Sequence, residues 1–514
     1  MTRKWWTLTA VSIATFMLLL DITVVNTALP SIRRDLGASF SDLQWVVDAY
    51  VLSLAAVVLT AGSVADRIGR KPTFVFGLAV FTVASLLIAL SSSIGLLIGA
   101  RALQGIGGAI MFALSLALIA QDFAPGRARA TAMGIYGATI GVAIAVGPLV
   151  GGALTDALGW QSVFYLNVPI GIAAIAITLA KVRDSRDPGA TAIDWPGMAT
   201  FSTALFLLVL ALVRGNVDGW GSAPILAMFA VAAVLLAAFV VIERRSDHPM
   251  LPLELFRNRA FTGVQLAAFA ISSSLFALFL YLTLYLQGFL GNSPLDAGLK
   301  YLPTTLAAFF VSAAAGSMVA RAPARVLLSV GLGLVGIGIL LVGGRELGDG
   351  WTALLPGFVV AGMGSGLVNV VIADVAVSVV PKERSGMASG INDTFRQVGV
   401  AVGIAVWGAL FVSRGADEVR ALAPGATGSQ PRQLVESVSA GQLDHALAAV
   451  PAGARQGVGH AAREGFLAGF NEIMLIGGGV AIAGAIAAAL LVRGHEIERE
   501  PVEVAGPEPV PAPA

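Results

Sequence analysis

The sequence predicts an all-α membrane protein of about fourteen transmembrane helices, arranged as two pseudo-symmetric six-helix bundles plus an inserted helix pair. Three observations predict it. The 514 residues are 57% hydrophobic and only 12% charged, where a soluble domain carries about 25% charged residues. Apolar runs of about 20 residues, the length a helix needs to cross a bilayer, recur between charged or Gly/Pro breaks. Short motifs of the first half also reappear in the second at offsets of 254–257 residues.

In chain order the runs fall near 6–30, 45–65, 73–92, 95–121, 131–155 and 163–181, then 195–213 and 220–242. They continue near 261–290, 298–320, 325–343, 352–380, 386–412 and 466–492. The first begins "MTRKWWTLTAVSIATFMLLLD", basic then apolar as in a signal peptide. It runs on to Pro30, however, and a second span follows at once, so it reads as a retained helix. Residues 1–185 then form the N-terminal bundle, 186–260 the inserted pair with its connection, and 261–493 the C-terminal bundle with a long external loop at 413–465. Residues 494–514, acidic and proline-rich, read as a disordered tail.

Basic residues gather on alternate connections: Arg67, Arg70 and Lys71; Arg127 and Arg129; Lys181, Arg183 and Arg186; Arg244, Arg245, Arg257 and Arg259; Arg321 and Arg325; Lys382 and Arg384. The basic side is expected to be cytoplasmic, which puts both termini inside. Arginine far outnumbers lysine, and Ala and Gly are abundant, which suggests a GC-rich bacterial genome and hence a bacterial cytoplasmic membrane. A net charge of +1 leaves no basic face for nucleic acid. The absence of cysteine excludes disulfides, thiolate metal sites and cysteine nucleophiles. The histidines fall in loops or the tail, no Walker motif is present, and "GLGLVG" at 331–336 lies in a hydrophobic span with no strand before it. No enzyme and no cofactor are expected.

The repeat carries the architecture. "GSVADRIGRK" (62–71) returns as "GSMVARAPAR" (316–325), "QGIGGA" (104–109) as "AGMGSG" (361–366), and "PGRARATAMGI" (125–135) as "PKERSGMASGI" (381–391). Matching loops on one face require an even number of helices between them. Six per half plus an inserted pair satisfies this, and parallel repeats are a design of alternating-access transporters.

Ionisable residues inside spans are the functional candidates. Asp21 lies in the run "FMLLLDITVVNTALP", roughly 13 Å below the outer end of the first helix at 1.5 Å per residue. Arg101, roughly 9 Å below the same face on the fourth helix, and the shallower Asp48 share that outer half. Asp21 or Asp48 is expected to load a proton, with Arg101 tuning the carboxylate's affinity. A fixed Asp21–Arg101 structural pair is the plainer alternative. In "GSVADRIGRK", Gly62 allows close helix approach. Asp66, with Arg67, Gly69, Arg70 and Lys71, makes a charged latch able to exist in one conformation and break in another. The second half offers Asp374, Asp393, Arg396 and Glu472 as further ionisable candidates. Asp393 and Arg396, at i,i+3, can also simply neutralise each other. Asn26, Gln104, Tyr281, Tyr285 and Asn392 are candidates for a substrate cavity; the tyrosines suit aromatic or cationic compounds.

These motifs resemble the major facilitator superfamily over nearly the whole chain. "GSVADRIGRK" is similar to its signature between helices 2 and 3, "RALQGIGGA" (101–109) to its helix-4 motif, and "GPLVGGAL" (147–154) to the helix-5 motif of its antiporters. "LDITVVNTALP" (20–30), "WQSVFYLNVPIG" (160–171), "YLQGFLGNSPLDAGLKYLP" (285–303) and the helix count resemble its fourteen-helix drug:proton antiporter branch. Gln161 departs from the branch, which usually has arginine there, and an external contact is expected to weaken. The resemblance implies that Arg101 faces the cavity and takes part in proton coupling. It also implies that Gly147, Pro148, Gly151 and Gly152 bend helix 5 and seal the cavity against leak. The reading is a monomeric, proton-driven exporter of amphipathic drugs or antibiotics, whose partners are those small molecules, protons and the bilayer. A metabolite exporter or symporter on the same fold, and more remotely a non-transporting receptor or scaffold, are the rivals.

Overall fold

With no water in the hydrocarbon layer, each spanning segment must satisfy its own backbone hydrogen bonds, so long apolar runs become helices. The computed structural model describes residues 2–38, 40–124, 127–186, 194–246, 249–319, 321–380 and 385–492, and no strand occurs among them. Lys382, Arg384 and the tail 494–514 lie outside the described residues, as do the side chains of Asn26 and Pro148.

The passes are α1 (Arg3–Leu36), α2 (Phe40–Ile68), α3 (Arg70–Ala89), α4 (Ile94–Asp122), α5 (Arg127–Leu158), α6 (Gln161–Lys181) and α7 (Trp195–Asp218). They continue with α8 (Ala223–Arg245), α9 (Arg259–Phe289), α10 (Leu302–Val319), α11 (Ala324–Val342), α12 (Leu355–Ser378), α13 (Ser385–Leu422) and α14 (Arg455–Leu491). Twelve are long and apolar enough to cross a membrane; α5 and α10, with shorter apolar stretches, complete the fourteen. Large apolar side chains face outward, among them Phe76 and Val83 on α3, Val234 on α8 and Leu490 on α14. That is the surface a bilayer requires.

Packing repeats as the sequence does. In the first bundle α1 packs on α5 and α6, α2 and α3 on α4, and α3 on α6. In the second, α9 packs on α13 and α14, α10 and α11 on α12, and α11 on α14. The bundles meet along two seams, α2 with α13 and α5 with α10, which the same symmetry exchanges. The inserted α7 lies against both α2 and α13, with Val209 and Leu212 among Leu52, Ala55, Ala401 and Ala405. Both ends of the described chain share the arginine-rich face. Arg3 donates to the Lys181 carbonyl at the end of α6 (2.9 Å), and the end of α14 packs on Gly263 near the start of α9.

The expected external loop 413–465 is largely helical. α13 runs on to Leu422, helices Gln430–Ser439 and Leu443–Ala448 follow, and α14 begins at Arg455. His445 and His460, expected in loops, therefore stand on helices. The reason is amphipathicity: Leu434, Val435 and Val438 form one buried face against the outward extensions of α13 and α14.

At the arginine-rich end the seams close tightly. A Cβ on Gly62 of α2 would strike the carbonyl oxygen of Gly386 on α13, and one on Gly386 would strike the Asp66 carboxylate. Only hydrogen fits at either place. Gly62→Leu is therefore expected to hold this seam open. The chain has no cysteine, so a lone Ser389→Cys probe, at a fully buried α13 position, should be silent to a water-soluble thiol reagent and become reactive when Gly62→Leu is added.

Candidate functional site

Two groups of charged side chains are built into the first bundle. The deeper one answers how Asp21 is tolerated in a span, where an uncompensated carboxylate costs about 2.5–3.5 kcal/mol on insertion scales. Asp21 on α1 is buried, and its Oδ2 receives Nη1 of the buried Arg101 on α4 at 2.6 Å. Its Oδ1 accepts from Gln104 Nε2 and from Asn167 Nδ2, both at 2.9 Å. Arg101 spends its other donors on the Val46 carbonyl of α2 (Nε, 3.0 Å) and on Gln104 Oε1 (2.6 Å). Its guanidinium also lies 4.3 Å from the centre of the Tyr50 ring, a contact worth about 2 kcal/mol when desolvated. Ser85 of α3 accepts a further Gln104 hydrogen bond at 2.8 Å. The ion pair thus ties α1, α2, α3, α4 and α6 together. All three partners of Asp21 are N–H donors, so the arrangement fits a carboxylate and offers no acceptor to a carboxylic-acid proton.

Asp48 is not part of this network. It is half-buried on α2, and the basic group acting on it is Arg214 of α7. Of the three ionisable residues expected in the outer half, Asp21 and Arg101 meet and Asp48 stands apart. Depth along a helix does not fix the face, and Asp48 looks towards the inserted pair.

The second group is the gate at the arginine-rich end. Buried Arg70 binds Asp66 at 2.8 Å, and its backbone N–H donates to the Ser185 carbonyl at 2.9 Å. Asp66 also accepts the backbone N–H groups of Gly386 (3.2 Å) and Met387 (2.8 Å). These belong to the first turn of α13, where backbone N–H groups lack partners within the helix. Asp66 therefore caps a helix of the opposite bundle, and its charge suits the positive helix terminus. Gly69 turns the chain at φ 128°. Lys71 donates its Nζ to the Leu179 carbonyl at 2.7 Å and its backbone N–H to Asp184 at 3.2 Å. Arg67 donates to Ser63 within α2, 3.0 Å from its carbonyl, and approaches the Pro249 carbonyl at 3.5 Å. On the other seam, buried Arg129 grips the carbonyls of Ala120 and Phe123 and the Ser378 hydroxyl (3.3 Å) of α12.

The remaining candidates divide. Asn392 and Asp393 are buried on α13, and Asn392 Nδ2 donates to Gln265 Oε1 of α9 at 3.1 Å. Asp393 faces Tyr136 of α5 across the bundle interface, beside Thr15 and Ser115. Arg396 lies over the Phe276 ring at 5.7 Å, and no ion pair joins it to Asp393 among the described residues. Arg396 is nevertheless the basic group that acts on Asp393, through space rather than through a hydrogen-bonded pair. Asp374 is buried on α12, one turn before Ser378. Glu472 pairs with Arg414 at 3.3 Å in the outer extensions of α14 and α13. Tyr281 and Tyr285 are buried within the second bundle, donating to the carbonyls of Ile404 (2.9 Å) and Asp349 (3.3 Å) and packing on Phe411 and Phe470. They are core aromatics rather than a cavity wall. In the helix-5 motif, a Cβ on Gly147 would run into the side chain of Thr23, two residues beyond Asp21, while Gly152 faces open space. Gly151 is buried.

The profile of the Major Facilitator Superfamily matches residues 11–404. The chain belongs to that superfamily. It is 34% identical over 522 residues to the "Tetracenomycin C resistance and export protein" of Streptomyces glaucescens, covering 99% of this chain and 95% of that one. It is 36% identical to the "Multidrug resistance protein Stp" of Mycobacterium tuberculosis (79% and 76% covered) and to the "Multidrug efflux pump LfrA" of Mycolicibacterium smegmatis (80% and 82%). The fold matches the human organic anion transporter MFSD10 with a TM-score of 0.63 at 15% identity, covering 94% of this chain and 99% of that one. The proton:xylose symporter XylE matches at 0.62 and 15%, covering 96% of each. Fourteen passes and relatives named for drug or antibiotic resistance are consistent with the superfamily's fourteen-helix antiporter branch.

Sequence reasoning missed Asn167, Ser85, Tyr50 and Ser185. Asn167 had a signal: it is the one amide in "VFYLNVPIG". The other three carry none, since a serine or tyrosine in a span is ordinary. Removing one partner of a buried ion pair costs about 3–5 kcal/mol, whereas removing both costs much less. Arg101→Ala should therefore lower the melting temperature of the purified protein in detergent more than Asp21→Asn combined with Arg101→Gln.

Proposed function

We propose that this major facilitator protein is a proton-coupled exporter of amphipathic drugs or antibiotics that works by alternating access. The observation that carries the reading is the buried Asp21–Arg101 pair, a charge couple whose carboxylate on α1 is held within the membrane by donors from α4 and α6. Intramembrane ionisable pairs of this kind mark ion or substrate pathways. The named activities of the relatives, export and resistance, support the same reading. In the form described, the arginine-rich end is shut by Asp66 on α13 and Arg129 on α12, and Asp21 is sealed from water. Loading a proton then requires Arg101 and Gln104 to withdraw as the bundles rock, which exchanges one charge partner for a proton. Asp393, buried at the interface with an Oδ2 that has no hydrogen-bond partner among the described residues, is the second carboxyl on that route. The arginine-rich face is taken as cytoplasmic and the membrane as the bacterial inner membrane.

The energetics suffice. One proton crossing 100 mV releases about 2.3 kcal/mol, and a hundredfold gradient of neutral substrate needs about 2.8 kcal/mol; a modest pH gradient supplies the difference. In everted membrane vesicles energised with a proton gradient, uptake of amphipathic aromatic antibiotics should occur and collapse with an uncoupler. Asp21→Asn should lower the uncoupler-sensitive rate at least about tenfold, the effect of about 1.4 kcal/mol. Uptake that ignores the uncoupler would remove proton antiport.

A further inference from the structure

The inserted pair also carries a charged site. Asp194, just before α7, accepts the Gly197 backbone N–H at 2.8 Å and so caps that helix. Glu243, at the end of α8, accepts the Leu251 backbone N–H at 3.1 Å and so holds the turn that leads to α9. Each keeps one oxygen, Asp194 Oδ2 and Glu243 Oε1, buried with no hydrogen-bond partner among the described residues. The residues themselves are only 7% and 5% exposed. Both free oxygens lie within 3.0 Å of the point where a Cβ on Gly197 would stand, so they converge on one small space that a glycine leaves open.

Two carboxylates converging without donors cannot both be charged at little cost; such a pair favours holding one proton between them. The surrounding charges fit a single negative charge. From α2 the group acting on Glu243 is Arg67, and from α7 it is Asp194 itself. The segment after α8 contributes the backbone N–H groups of Met250 and Leu251, while Glu254, Arg257 and Arg259 are exposed, as are Arg244 and Arg245 on α8. Arg67 thus balances one carboxylate, and among the described residues no second basic group acts on Glu243.

The position gives the site a role. Met387, whose backbone N–H Asp66 holds at the gate, belongs to the same buried apolar cluster as Phe201 and Leu205 of α7, Phe239 of α8, and Met250 and Leu251. We propose that Asp194 and Glu243 form a proton-binding clasp that joins α7 to α8 beside the gate. Release of the shared proton to water at the arginine-rich face leaves two carboxylates in one space, and one must withdraw. Asp194 withdrawing uncaps α7; Glu243 withdrawing frees the turn at Leu251. Either loosens the inserted pair against α2 and α13, so proton occupancy on this face sets how firmly the gate is braced.

Spin labels test this directly in the full-length protein in lipid nanodiscs, on cysteines at Ala199 and Val241, both exposed and uncharged positions on α7 and α8. The parent should show the label distance lengthening as pH rises from mildly acidic to alkaline. Glu243→Gln, and Asp194→Asn as a second variant should the first not fold, should hold the short distance at every pH. Gly197→Ala, which fills the shared space, should give the long distance even at acidic pH. Infrared difference spectra of parent against Glu243→Gln should lose one protonated-carboxyl C=O band. A parent distance that ignores pH, variants that titrate like the parent, or an unchanged infrared band would each overturn the clasp. No substrate or export is measured, so that failure leaves the exporter reading standing.

Discussion

A carboxylate inside a bilayer is the constraint on which the first bundle depends. Asp21 can stay charged there only while donors surround it, and no single helix can supply them. Arg101 and Gln104 come from α4 and Asn167 from α6, while Ser85, Tyr50 and Val46 orient those groups from α3 and α2. Apolar packing between lipid-exposed helices is weakly directional, because lipid tails are as apolar as the side chains they replace. The polar network is what fixes rotation and depth for five helices at once. A structural role and the proposed coupling role are therefore not alternatives for Asp21: under that proposal, the bonds that set the fold are also the ones a proton displaces.

The seams between bundles follow a different logic. Gly62 and Gly386 bring backbones together so closely that the contact is either made or lost, with little room between. Onto that contact are set charges that cross from one bundle to the other, Asp66 onto the α13 N-terminus and Arg129 onto Ser378. Close approach supplies a short-range, all-or-none term and the helix-end charges a modest one. Both are contacts of the kind that can be made in one state and broken in another. Using a helix terminus as the partner of Asp66 also leaves no isolated buried charge when the seam parts, since Arg70 remains bound to it within the first bundle.

Much of this was legible in the sequence, and the limits have physical reasons. Hydropathy gave the spans because span length is set by bilayer thickness. The repeat gave the pairing of halves because "GSVADRIGRK" and "PGRARATAMGI" each have a partner at nearly the same offset. The Asp21–Arg101 pairing was legible because a lone acid and a lone base in spans have few possible partners. What one dimension does not hold is azimuth. Asp48 shares the outer half with Asp21 but has Arg214 as its basic neighbour, Arg396 acts on Asp393 yet lies over the Phe276 ring, and Tyr281 and Tyr285 turn into the second bundle's core. The amphipathic helix at Gln430–Ser439 was hidden for another reason: outside the bilayer, short polar helices and loops share a composition.

The inserted pair shows why an added element need not be a passive one. Had α7 and α8 been only a lipid-facing addition, their ends at the arginine-rich face would carry solvated charges, as Arg244 and Arg245 do. Instead Asp194 and Glu243 are turned inward, and each spends one oxygen on a backbone N–H that fixes where its helix begins or ends. Burying a carboxylate is unfavourable unless hydrogen bonds or a charged partner compensate it, and here the backbone N–H groups of Gly197 and Leu251 do so in part while fixing the join between the pair and the turn that leads to α9. Because α7 touches both α2 and α13, whatever stiffens that join resists their separation. The pair thus shares the seam's load with Asp66, and the stability of the closed gate becomes a property of three elements, two of them inherited from the repeat and one inserted between its halves.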